Sequence, residues 1–273
     1  FFPEMEKLLA SLHHKNLERA MANFVSFNEW SIAEIKRLDF DRLSEIVPRS
    51  FDSPIGKVSI RGVEDNWHEA GPGLILDFGG DDKYQRSVTN AGEISVVIDI
   101  NGDDKYNGVD ISLAGVTVVT DLRGDDRYFS PGSGLGATIG GLSWLQDQSG
   151  NDHYSAGNFG LGAAVAGFGT VIDEQGDDEY YVKSFGQGFG GPSGYGALQD
   201  LDGDDSYFAE GGGEDRFERG NGKLSYAQGV GAGFASKFSG GIGVLRDKSG
   251  NDSYFAEMFA QGQGIFFGLG ILE

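Results

Sequence analysis

Residues Val96–Tyr106 read VVIDINGDDKY, a short apolar run closed by Asp99 and followed by a glycine turn that carries Asp103 and Asp104. An alternating apolar segment of this length is a strand signal, and Asp followed three residues later by Gly is the signature of a type I turn. What makes the stretch decisive is that it recurs. Aligned on the aspartate that ends each run, the chain contains LILDFGGDDKY, VVIDINGDDKY, VVTDLRGDDRY, WLQDQSGNDHY, TVIDEQGDDEY, ALQDLDGDDSY and VLRDKSGNDSY. The leading acids are Asp77, Asp99, Asp121, Asp147, Asp173, Asp200 and Asp247, at intervals of 22, 22, 26, 26, 27 and 47 residues.

Three strands of about 5 residues with their turns need ~22 to 27 residues, the length of one coil of a parallel β-helix. The repeat therefore predicts an all-β fold: a parallel β-solenoid of about eight coils. Neighbouring coils stack ~4.8 Å apart, so equivalent side chains form columns along the axis. Seven of the ten tyrosines, at 84, 106, 128, 154, 180, 207 and 254, fall into one such column, expected to be core. The fourth residue before each leading aspartate is small and usually lies between a large residue and an apolar one, as in Tyr195-Gly196-Ala197, which predicts close backbone approach there.

The chain's outer parts are organised differently. Within residues 1–70, EMEKLLASL, KNLERAMANF and SIAEIKRLDFDRLSEI have helical apolar spacing, and Ser31 with Glu34 forms a capping box. This segment is expected to be an α-helical cap on the first coil, with residues 71–273 as the repeat domain. The long 47-residue interval is a normal coil with two insertions. The first lies near 211–224 and carries Glu214, Asp215, Arg216, Glu218 and Arg219. The final GLGILE matches a strand and stops one residue short of the next aspartate, so the chain is expected to end inside a coil.

Composition excludes several functions. The net charge of -21 and pI near 4.4 argue against nucleic acid and anionic membrane surfaces. No apolar run reaches the ~20 residues of a membrane span. Cysteine is absent and histidine numbers 4, which makes a dedicated zinc site improbable. No nucleophile with a base partner stands out, and the GxG fragments follow strands without opening a helix, so dinucleotide binding is unsupported.

The acids themselves demand an explanation. Like charges about 5 Å apart repel by ~0.8 kcal/mol at bulk-water dielectric and by more when desolvated. Lys83, Lys105 and Arg127 follow the acid pair in the first three copies and are expected to interleave with it; the later copies hold His153, Glu179, Ser206 and Ser253 instead. A cation is then needed. Calcium fits best, because it takes 6 to 8 hard oxygen ligands at about 2.3 to 2.6 Å, including carbonyls at glycine turns. Ion-free Asp turns are the alternative.

The pentad G-[DN]-D-x-Y resembles the second half of the nonapeptide of RTX proteins, secreted calcium-binding β-rolls of bacteria. The resemblance covers about five residues per coil, and the ~17 intervening residues depart from the uninterrupted RTX tandem. It implies calcium held between turns, the second acid of each pair as ligand, and the tyrosine pointing inward. The second acids are Asp82, Asp104, Asp126, Asp152, Asp178, Asp205 and Asp252. Candidate ligands also include the seven leading acids, the first acids Asp81, Asp103, Asp125, Asp177 and Asp204, and Asp202 of DLDGDD.

Three further features complete the reading. Phe129, Tyr181, Phe208 and Phe255 follow the tyrosine column and should face outward as an aromatic platform. Gln187, Gln228 and Gln261 recur at one place and are expected to stack as an amide ladder. Together these features lead to a calcium-stabilised, extracellular structural or ligand-binding module, with polysaccharide or a cell-surface component as partner. The alternative is a calcium-dependent polysaccharide lyase or hydrolase with Lys105 or Arg127 as its basic residue.

Overall fold

The computed structural model describes residues 46–212, 222–234 and 240–273, together with Ser26, Ile32, Ala33 and Arg37. It is a parallel β-solenoid of about seven turns. Each repeat contributes its apolar run to one long sheet, and the repeat length sets the pairing. Ile94–Ile98 pairs in parallel with Val116–Thr120, Ile94 opposite Val116, a 22-residue step. Val116–Thr120 then pairs with Leu142–Gln146, a 26-residue step. This first sheet has ten strands, opening with the antiparallel hairpin Arg49–Ser53 and Gly56–Ile60 and ending at Leu269–Leu272. The last strand pairs Leu269 with Ile242, the 27-residue step read from the sequence.

The segment after each glycine turn enters a second sheet, which runs from Trp67–Ala70 to Ser253–Ala256. A third face is built from short strands such as Ile111–Leu113, Ala137–Ile139 and Ala164–Val165. In the second sheet, residues alternate out and in. Tyr84, Tyr106, Tyr128, Tyr154, Tyr180 and Tyr207 are at most 2% exposed and pack against Val97, Val119, Leu145, Val171, Leu198 and Leu245 from the first sheet. The seven tyrosine rings stack with centroids 4.6–4.8 Å apart and planes within 8° of parallel. Strand spacing dictates that distance, and each stacked pair adds about 0.5–1.5 kcal/mol beyond the area it buries.

Glycine holds the turns together by absence of a side chain. A Cβ at Gly124 would lie 1.5 Å from the carbonyl oxygen of Gly102 in the coil below, and one at Gly203 would lie 1.6 Å from that of Gly176. The small position of the first sheet behaves alike, since a Cβ at Gly196 would meet the Phe189 oxygen at 2.0 Å.

The expected 1–70 helical cap is corrected over its second part. Residues 49–53, 56–60 and 67–70 are strands, and the last of these already belongs to the second sheet. The rest of that cap lies outside the described residues, apart from the four named above. So do the insertion's charged residues Glu214, Asp215, Arg216, Glu218 and Arg219. Its flanks show how it is accommodated. Glu179–Gly186 is one eight-residue strand, whereas in the next coil Ser206–Ala209 pairs with its first half and Leu224–Ala227 with its end. The insertion leaves the coil in mid-strand and returns to the same line. Among the described residues, no helix is long and apolar enough to cross a membrane.

Candidate metal centre

Five of the seven glycine turns place three acids in three different settings, with Asn151 and Asn251 taking the middle place in the other two, and their roles follow from which way the backbone points them. The leading aspartate ends a strand of the first sheet and folds back on its own turn. Its Oδ1 accepts the N–H two residues on, from Asn101 to Asp99 at 3.0 Å, Arg123 to Asp121 at 3.0 Å and Gln175 to Asp173 at 3.1 Å. Its Oδ2 accepts a tyrosine hydroxyl from the preceding coil. Tyr106 donates to Asp121 at 2.5 Å, Tyr128 to Asp147, Tyr154 to Asp173 and Tyr180 to Asp200 at 2.6 Å, and Tyr84 to Asp99. The pattern ends at Asp247, which takes the hydroxyl of Tyr254 from its own coil at 2.7 Å and leaves the buried Tyr207 hydroxyl without a partner.

The two acids after glycine point to opposite sides. The first member of the pair is solvent-facing and accepts the N–H of its counterpart one coil later: Asp103 donates to Asp81 at 3.2 Å, Asp125 to Asp103 at 3.1 Å and Asp204 to Asp177 at 2.9 Å. The second member is buried and accepts from one coil earlier. Asp82, Asp104, Asp126 and Asp152 each donate a backbone N–H to the next second acid at 2.6 Å, and Asp178 to Asp205 at 2.8 Å. Two backbone-to-carboxylate ladders therefore run in opposite directions along the turns, which gives the turns a reason for aspartate that needs no ion.

That explanation stops at one atom in five of the seven coils, while Asp178 Oδ2 accepts the Tyr180 hydroxyl at 3.5 Å. Oδ2 of Asp82, Asp104, Asp126, Asp152 and Asp205 is buried and has no hydrogen-bond partner. An unpartnered buried carboxylate oxygen carries a full desolvation cost. Those oxygens sit beside the leading acids. Asp82, Asp99 and Asp104 bring one ligand atom each within 4.8 Å of one another, as do Asp104, Asp121 and Asp126; Asp126, Asp147 and Asp152; and Asp152, Asp173 and Asp178. Every one of these residues is at most 2% exposed. From Asp77 through Asp178 the groups draw only on leading and second acids, plus His68 at the start. The first acids Asp81, Asp103, Asp125 and Asp177 stay outside them. Asp202 is also exposed and accepts the Ser249 hydroxyl at 2.8 Å.

Burial and mutual repulsion push these carboxyls far above the ordinary range. Asp104, Asp126 and Asp152 are raised to about 10, by burial first and then by the neighbouring leading acids. Asp82 rises to about 8 through burial and then Asp77, and Asp205 to about 8 chiefly through burial. Burial also raises Asp121 and Asp173 well above the carboxylate range. The column cannot hold all its negative charge unaided at neutral pH.

The expected protein counter-charge is not there. Lys83, Lys105 and Arg127 occupy the exposed side of the second sheet, one residue before each inward tyrosine, and form no ion pair with the acids among the described residues. What remains is a proton or an external cation. The donors are carboxylate oxygens almost throughout, the ligand set of a hard cation. Each coil buries two acids of the ladder, so one divalent ion per coil would balance them.

In the sequence His68, within NWHEAG, looks like a lone and incidental histidine, and the structure gives it a defined place. It is the first rung of the tyrosine column, stacked on Tyr84 at 4.7 Å, with Nε2 2.8 Å from Asp77 Oδ2. The signal was present: EDNWH at 64–68 is a degenerate copy of GDDKY. Its Asn66 N–H donates to Asp82 and its Asp65 carboxylate accepts the Asp81 N–H at 3.1 Å, as the full copies do. The glutamines differ from the expected amide ladder. Gln187 Nε2 bridges the Tyr180 and Phe208 carbonyls at 2.9 and 3.3 Å, and Gln228 bridges Tyr207 and Phe255 at 3.2 and 3.0 Å. They tie coils together through backbone rather than through each other, and Gln261 is exposed. No protein family, curated protein or solved structure matches the chain.

Proposed function

We propose that this chain is an extracellular structural or ligand-binding module, a β-solenoid scaffold whose buried aspartate column is neutralised by calcium. One observation carries the reading: the repeated, buried, partnerless Oδ2 of the second acids, set beside the leading acids of adjacent coils. Its donor set is hard oxygen, and its charge recurs coil by coil. Calcium is abundant outside cells and scarce within, so a fold that needs it would complete itself after export, with metal binding contributing folding energy.

Thermal unfolding by circular dichroism tests this, first in chelator and then across calcium and magnesium titrations. A midpoint that rises with calcium and not with magnesium supports the reading. A midpoint indifferent to both ions favours a second reading, which rests on the raised carboxyl pKa values: the column is held by protons shared between second and leading acids, and the scaffold is metal-free.

A further inference from the structure

The outward face of the second sheet carries an aromatic ladder with one rung missing. Backbone register places Phe129, Ser155, Tyr181, Phe208 and Phe255 in a single column, each opposite the next. Phe208 and Phe255 stack at 4.7 Å and 9°, and Tyr181 stacks on Phe208 at 5.8 Å and 11°. Rings stacked this way expose their edges to solvent, so the continuous part of the ladder offers no ring face to a ligand. The exception is at Ser155. There the serine leaves a gap of two strand spacings, ~9.6 Å, between Phe129 and Tyr181. Tyr181 has one face against Phe208 and turns the other towards the gap, and Phe129 is 47% exposed at the far side.

Ser155 also lines a hollow of ≈ 500 Å³ with His153, Glu179, Tyr180, Tyr181, Ser206 and Phe208, which runs from the gap along Tyr181, while Phe129 stands one strand beyond Ser155 and outside that lining. Tyr181 is held in place, since its hydroxyl donates to Glu210, which also accepts Lys223 at 2.9 Å. Beside the gap, His153 Nδ1 lies 3.0 Å from Glu179 Oε2. The site thus combines apolar faces one ring apart with hydroxyl, imidazole and carboxylate groups around their edge. A plain aromatic ring would satisfy the faces and make no use of the hydroxyl, imidazole and carboxylate at their edge. A pyranose with all its hydroxyls equatorial has C–H faces on both sides and a polar rim, and matches both requirements.

We propose that the missing rung at Ser155 binds one all-equatorial pyranose ring, inserted between Phe129 and Tyr181 with its hydroxyls directed to His153, Ser155 and Glu179. This deepens the ligand-binding half of the proposed function and rests on it, but does not depend on the cation.

Saturation-transfer NMR with methyl β-D-glucopyranoside tests it, in calcium-containing buffer, with p-cresol as the aromatic control. The expected result is saturation of ring protons on both faces of the sugar, lost at least tenfold in Ser155→Tyr, which supplies the absent rung. Circular dichroism of Ser155→Tyr should show an unchanged or higher thermal midpoint, separating loss of the site from loss of fold. Sugar binding that persists in Ser155→Tyr, or binding of p-cresol without the sugar, or no binding by either, overturns the proposal. The calcium response of the same samples is read separately, so a vacant slot on a calcium-responsive scaffold refutes the sugar site alone.

Discussion

Asp126 shows the conflict inside a single side chain. Its Oδ1 accepts the Asp104 N–H at 2.6 Å, a bond that orders the turn, while Oδ2 is buried without a partner beside Asp147 and Asp152. Replacing it by asparagine keeps the first bond and substitutes a donor for the orphaned oxygen, as a permanently protonated acid would. In metal-free protein at pH 8, where folded Asp126 has to hold a proton that the unfolded chain releases, Asp126→Asn is expected to raise stability by about 1–3 kcal/mol, of the order of one unsatisfied buried polar group. At ~2–4 °C per kcal/mol for a domain of this size, that is several degrees in midpoint. The same variant should show a smaller calcium-induced rise, because it removes a ligand. Thermal melts of variant and parent, with chelator and with calcium, check both halves. A variant less stable than the parent in chelator would mean that Oδ2 already has a partner.

At the scale of the element, the glycine turn stacks only because its backbone carries nothing on one side. Gly124→Ala would push a methyl group into the Gly102 carbonyl at 1.5 Å, with φ at +145°, a conformation L-residues avoid. Separation of two coils at the turn is the only relief. The variant is expected to lose more than about 3 kcal/mol, seen as a large fall in midpoint, while alanine at the half-buried Gly132, where an added Cβ meets nothing within 4 Å, is nearly neutral. Comparable losses at both sites would deny the close stacking.

These turns also mark how far the sequence could be read. Repeat spacing alone gave the parallel pairing, the inward tyrosines and the 27-residue final step, because each depends only on which residues share a column. It did not separate the two acids after glycine. Adjacent residues in an extended chain point to opposite sides, so Asp103 meets solvent and Asp104 the interior, although the repeat offers both as candidate ligands. Nor did it place Lys105 and Arg127, which alternation puts outward with Asp103's side of the chain rather than among buried carboxylates. His68 escaped because its copy of the motif lacks both the glycine and the tyrosine, although an imidazole fills a stacked, hydrogen-bonding rung as well as a phenol does.

For the whole molecule, the column makes stability depend on pH in the direction opposite to that of an ordinary salt-bridged acid. An aspartate in the unfolded chain titrates near ~3.9, whereas folding raises Asp104, Asp126 and Asp152 to about 10 and Asp82 and Asp205 to about 8. Between those limits the folded protein keeps protons that the unfolded chain has released. Stability rises with pH only where the unfolded state binds more protons, so here it falls. The stabilisation is fully present below pH ~4 and drains away as pH climbs towards about 8 and beyond. Self-repulsion from a net charge of -21 acts in the same direction. In chelator, the thermal midpoint is therefore expected to decline steadily from pH 5 to pH 9. Calcium competes with the same protons, so its stabilising effect should grow over that range and flatten or reverse the decline, and binding at pH 7 should release protons measurable in weakly buffered solution. The triple variant Asp104→Asn, Asp126→Asn, Asp152→Asn separates the column from the general charge, since it leaves the exposed acids in place and should remove most of the slope in chelator. A chelated midpoint that climbs with pH, or a slope the triple variant leaves untouched, would place the protons somewhere other than the buried column.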